Sequence, residues 1–193
     1  MLHHFTPDTF VAPDQRINLF FALRPDAKAA TEACKVAHQH SADRRMRGRP
    51  IAKERLHVTL LSAGGFIGSV PDEFLQLMLS VGDAISLAPF EVTLDRAVSF
   101  ARNTGTRPYV LLGSDGVADI MPLHCGLVGA MFRSGLNIPI PPGFNPHMTL
   151  LYDGAHHMEL PIQPISWVAR EFVLIESLHG QTIHREMGRW RLR

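Results

Sequence analysis

Cysteine is scarce in this chain. There are two, Cys34 and Cys125, far apart and with no Cys-x-x-Cys pair. A zinc site built on thiolates is excluded, and a disulfide framework is not expected. No stretch approaches the roughly 18 uninterrupted apolar residues of a membrane span. The start, Met1 to Asp8, lacks a basic segment followed by an apolar run, so no signal peptide is expected there. The setting this implies is reducing and cytoplasmic. Neither sign of charge dominates: 19 basic residues face 18 acidic ones, a net of +1. That balance excludes a generic polyanion-coating protein. Lysine is nearly absent, with 3 Lys against 16 Arg. Arg is the better fork for phosphate, although base composition of the gene explains such an excess as well.

What is present is an ordinary globular composition. Hydrophobic residues make up 46% of 193, enough to bury one core, and disorder does not fit. Residues 1–15 read as a loose N-terminal arm, and 16–193 as a single domain. Arg16 to Leu23 reads as a buried strand that stops at Arg24-Pro25-Asp26. An Ala-rich helix follows, from Asp26 to about Met46. Between Arg44 and Arg55 lies a loop with six basic residues and one acid, Glu54. A strand from Leu56 to Leu61 ends in Ser62-Ala63-Gly64-Gly65. A helix then carries Phe74, Leu77, Met78 and Val81. Further strands are read over 90–98, 109–112, 147–152, 166–176 and 186–192, with a loop over 102–108 and a helix over 117–132. The connections are mostly too short for parallel crossovers, so the class is α+β with antiparallel or mixed pairing.

One internal repeat stands out. His57-Val58-Thr59-Leu60-Leu61 recurs as His147-Met148-Thr149-Leu150-Leu151, 90 residues later. In a strand, positions i and i+2 share a face. Each His therefore points the same way as its Thr, and the apolar residues point the other way. A single His-x-Thr is ordinarily structural. Two copies half a chain apart present two imidazoles and two hydroxyls to a shared cleft. An imidazole titrates near pH 6.5, so one can take a proton while the other gives one. A threonine hydroxyl can hold a non-bridging phosphate oxygen. The set suits transfer or hydrolysis at a phosphodiester, with no metal and no cofactor.

The paired His-x-Thr-Leu motifs resemble the signature of the 2H phosphoesterases. The wider pattern is similar to their bacterial RNA 2′,3′-cyclic phosphodiesterases, also called 2′-5′ RNA ligases. It includes Leu19 to Leu23, Phe90 to Leu94, Phe172 to Ser177 and Gly188 to Leu192. The resemblance implies a bilobal duplicated fold, with two antiparallel sheets lining a central cleft, helices outside and pseudo-two-fold symmetry. It implies hydrolysis of a 2′,3′-cyclic phosphate to a 2′-phosphate, with a companion reversible 2′-5′ ligation. It makes His57 the acid for the 3′-oxygen and His147 the base for water, with Thr59 and Thr149 holding the phosphate. RNA ends or small cyclic nucleotides are the implied substrates of a monomer.

Many relatives carry an Arg after the second motif, where this chain has Tyr152. A tyrosine stacks or hydrogen-bonds but brings no charge. Tyr152, Phe100 and Arg107 are the candidate substrate contacts. Phe144 is a further residue that could stack on a base, with core packing its plainer role. His38 and His40 make a poor metal pair, His156 and His157 read as surface, and His124 as a hydrogen-bonded core residue. His179 or His184 could approach the cleft. Two rivals remain: a nucleotide- or RNA-binding module that keeps the cleft without chemistry, and a His-ligated metal hydrolase. The His-x-Thr spacing lacks the close ligands a zinc site needs.

Overall fold

The computed structural model describes residues 14–101, 105–136 and 143–193. The N-terminal arm up to residue 13 and parts of the loops over 102–108 and 137–146 lie outside the described residues. At Gln15 the chain is already tied in, its carbonyl accepting from Gly68 N at 2.8 Å and its amide donating to His179 O at 2.9 Å.

Among the described residues, eight strands and three α-helices follow in the order β1 (Arg16–Leu23), α1 (Ala27–Asp43), β2 (Val58–Ile67), α2 (Asp72–Asp83), β3 (Phe90–Ser99), β4 (Arg107–Leu112), α3 (Ile120–Arg133), β5 (His147–Asp153), β6 (Leu160–Ala169), β7 (Glu171–Leu178) and β8 (Ile183–Arg191). The class is α+β, as expected, with antiparallel pairing throughout the described ladders. None of the helices is long and apolar enough to cross a membrane, among the described residues.

The expectation of two separate sheets needs correction. The strands form one eight-stranded sheet in the order β6-β3-β4-β5-β2-β1-β7-β8. Its halves meet between β2 and β5, where a single pair, Val58 and Met148, keeps the ladder continuous. The sheet is curled. β6 and β7 stand first and seventh in the order, yet only Arg170 separates them. Two residue steps span about 7 Å at most, so those ends must come together. This is also why the strand read over 166–176 is two strands: the chain passes at Arg170 from the edge of one half into the other.

Burial follows the alternation. Ile17, Leu19, Phe21 and Leu23 enter the main core, while Phe20 and Ala22 face the other side of β1 with Val173 and Ile175. Asp26 caps α1 by accepting from Ala29 N at 2.8 Å. Ala29, Ala30, Ala33 and Ala37 form its buried stripe, and small side chains let a helix backbone lie close. α1 leaves β1 in one half and packs on β5 and β6 of the other; α3 leaves β4 and packs on β2. α2 packs on α3, β7 and β8.

The expected turn after the first motif is not there. β2 runs on to Ile67, because Gly64 takes a φ of +146° and the ladder absorbs an extra residue beside Leu19 and Phe20. A second irregularity is shared by both motif strands. Phe21 pairs with Leu61 and Ala22 with Thr59, so Leu60 is bulged out; Tyr109 pairs with Leu151 and Val110 with Thr149, so Leu150 is. Each bulge reverses the alternation. Ser62 and Tyr152 therefore return to the face that carries Thr59 and Thr149.

Candidate active site

The motif histidines are held in the same manner. His57 Nδ1 lies 2.7 Å from the carbonyl of Arg55, and His147 Nδ1 lies 2.8 Å from the carbonyl of Asn145. Both acceptors sit two residues upstream of the ring. A carbonyl can only accept, so each Nδ1 carries the hydrogen and donates. Each Nε2 is then left with its lone pair, as an acceptor or, once protonated, as a donor. Pro146 helps set the second case, since the residue before a proline is confined to extended backbone.

The surroundings of the rings differ. Phe20 stacks on His57 with centroids 5.0 Å apart, and His184 meets the same ring edge-on at 5.3 Å. Phe100 meets His147 edge-on at 4.8 Å. Burial pushes the His57 imidazole below its ordinary value. The bond to the Arg55 carbonyl opposes this, and the charges of His147, Arg55 and Arg24 add to the lowering. His184 is pushed down to about 4 by burial, then by the charges of His57, Arg55 and Arg24. Thr59 and Thr149 are half-buried, each two residues on from its histidine, the spacing that puts two side chains on one face of an extended chain. Arg55 and Arg24 thus place positive charge near His57 and His184, and Phe20 and Phe100 lie against the two motif rings.

Of the expected substrate contacts, Phe100 reaches His147, and Tyr152, 48% exposed, shares the face of Thr149. Arg107 is not brought to the motif residues. It belongs to β4 rather than to a loop, opposite Asp153, and its Nη1 donates to Gly154 O at 2.6 Å. His184, opposite Ser177 on β8, reaches the site, while His179, just past the end of β7, is turned to β1 with its N–H bonded to Arg16 O. Phe20 was legible only as a strand residue; nothing local marks it as the one that covers His57.

The basic loop is docked on the end of β5. Asp153 Oδ1 accepts from Arg47 N at 2.8 Å and Gly48 N at 3.1 Å, and Ile51 N donates to Leu150 O at 2.7 Å. Asp153 Oδ2 lies 3.0 Å from His157 Nε2. His157 is therefore a half-buried partner of Asp153 and not the free surface residue expected. Burial raises the Asp153 carboxyl, but the bonds from His157, Arg47, Ala155 and Gly48 outweigh it and bring it down to about 2. Arg45, Arg47 and Arg49 extend from this loop with no ion pair among the described residues. No three His, Cys, Asp or Glu side chains gather as a metal site would need, among the described residues.

Comparison with known proteins agrees with this picture. The family model described as the 2′-5′ RNA ligase superfamily matches residues 24–180. The curated RNA 2′,3′-cyclic phosphodiesterase of Escherichia coli (strain K12) is 31% identical over 150 residues, covering 75% of this chain and 80% of that protein. The apo crystal structure of E. coli LigT superposes with a TM-score of 0.67 at 28% identity, covering 93% of this chain and 98% of that one. LigT complexed with 3′-AMP superposes with a TM-score of 0.69 at 27% identity, covering 92% and 98%.

Proposed function

The chain belongs to the 2′-5′ RNA ligase superfamily, and from that premise we propose that it hydrolyses 2′,3′-cyclic phosphate ends of RNA or small nucleotides to 2′-phosphates. The observation that carries this reading is the matched pair of Nδ1–carbonyl bonds, which leaves both Nε2 atoms free for proton transfer.

His147 Nε2 takes a proton from water as the water oxygen bonds to phosphorus. The bond from phosphorus to O3′ breaks, and His57 Nε2–H gives its proton to that oxygen. The product carries a 2′-phosphate and a 3′-hydroxyl, and exchange with solvent returns each ring to its starting state. The Thr59 and Thr149 hydroxyls donate to the non-bridging oxygens, where charge develops. No step calls for a metal. With a 5′-hydroxyl in place of water, the same displacement yields a 2′-5′ linkage.

The low pKa of His57 suits a proton donor. A weaker base is a stronger acid once protonated. The cyclic phosphate brings a negative charge that favours the imidazolium and offsets the fields of His147, Arg55 and Arg24. The mirrored strand order about Val58 and Met148, with a bulge repeated at Leu60 and Leu150, supports a duplicated bilobal origin. Each chain carries both histidines, so one chain suffices.

The test is a nucleoside 2′,3′-cyclic phosphate offered in the presence of EDTA. Wild-type protein gives the 2′-phosphate, and His57→Ala and His147→Ala do not. Turnover surviving either substitution, or nucleotide binding without product, rejects the two-histidine mechanism.

A further inference from the structure

A β-bulge leaves a carbonyl outside the ladder, and a buried carbonyl needs a donor. At Leu150 the donor is Ile51 N, at 2.7 Å. At Leu60 the donor is a side chain: His124 Nδ1, on α3, lies 2.7 Å from Leu60 O. Leu60 follows Thr59 directly, so this bond holds the strand at the residue after the hydroxyl.

The other contact of His124 leads to the second motif. Its ring lies flat on Phe144, with centroids 3.9 Å apart and planes 4° from parallel. Phe144 directly precedes Asn145, whose carbonyl holds His147 Nδ1. His124 is 9% exposed and lies inside the fold. We propose that His124 is a positioning residue that ties the two halves of the site together. Its Nδ1–H fixes the bulge beside Thr59, and its ring face holds the segment that orients His147. The proposal rests on the two-histidine reading above.

The two contacts can be removed separately. His124→Phe keeps a ring for Phe144 and loses the donor. His124→Asn keeps a donor in place of Nδ1–H and loses the ring. Each is expected to lower kcat about tenfold with KM within about threefold, since small misplacements of reacting groups act on the chemical step. Far-UV circular dichroism and the thermal midpoint show that each variant is folded. Imidazole nitrogen NMR supplies a readout independent of turnover. His147 keeps its Nδ1–H tautomer in wild type and in His124→Phe, and becomes a tautomer mixture in His124→Asn. Folded variants with kcat within twofold of wild type, or a His147 tautomer unchanged in His124→Asn, overturn the proposal. If wild-type protein turns over no cyclic phosphate, the function proposed above fails. The nitrogen spectra then decide the role of His124 by themselves.

Discussion

Val58 and Met148 are paired across the centre of the sheet, the one ladder pair that joins its two halves among the described residues. Each directly follows a motif histidine, and each is fully buried. This pair, with packed side chains beneath it, helps set the spacing of the two imidazoles. Met148→Ala leaves a cavity at this junction. It is expected to cost about 2–5 kcal/mol in urea unfolding, and to lower kcat in the protein that stays folded. A loss below about 1 kcal/mol would show that the junction is not packed as described.

The lowered pKa of His57 makes a prediction about pH. As proton donor, His57 must be charged, so activity falls as pH rises through its pKa. In the free protein that pKa lies below the ordinary histidine value. A bound phosphate anion raises it. The limb due to His57 should then fall at higher pH in the kcat profile than in the kcat/KM profile. Limbs that coincide, or that shift the other way, reject the assignment of His57 as the acid.

His184 links acidity to stability. Its folded-state value is about 4, against an unfolded value near 6.5. Above about pH 6.5 the ring is neutral in both states and adds no pH dependence. As pH falls toward 4 the unfolded chain takes up the proton first, so the fold weakens across that interval. His184→Phe keeps a ring against Phe20 and His57 and removes the titration. Its thermal midpoint should fall less than the wild-type midpoint between those pH values. Parallel curves for the two proteins would rule this out.

Asp153 acts in the opposite sense. Its carboxyl is held down to about 2, so its contribution is complete above about pH 4 and is lost as pH falls through 2. Asp153→Asn puts an amide donor among groups that already donate. It is expected to cost about 2–3 kcal/mol at neutral pH. The difference from wild type should close as the pH is lowered from 4 to 2, as read by chemical denaturation at each pH.

Two glycines near Tyr152 provide a further contrast. A Cβ on Gly48 would sit 2.0 Å from the Tyr152 carbonyl oxygen, whereas one on Gly154 meets nothing within 4 Å. Gly48→Ala must push the basic loop off β5 and is expected to cost at least about 1–3 kcal/mol. Gly154→Ala is expected to be nearly neutral. Equal thermal midpoints for the two variants would refute the close docking of the loop.

The sequence alone determined the repeated His-x-Thr motif, the faces of its residues, most of the strands and helices, and the core role of His124. These are local properties. Alternation and helical spacing are written in adjacent residues, and a repeat is visible without any knowledge of pairing. Tertiary structure decided the rest. The bulges at Leu60 and Leu150 arise from register between strands, and no residue type marks them. They put Tyr152 on the working face and created the carbonyl that His124 satisfies. Arg107 was misplaced because a Pro-containing stretch that reads as loop is held in a strand by its partner β5. Phe20 reaches His57 because β1 pairs with β2, and His184 reaches it from β8, two strands beyond β1 in the sheet; neither pairing is written in adjacent residues. His157 was read as surface because its partner, Asp153, becomes buried only when the basic loop folds over it.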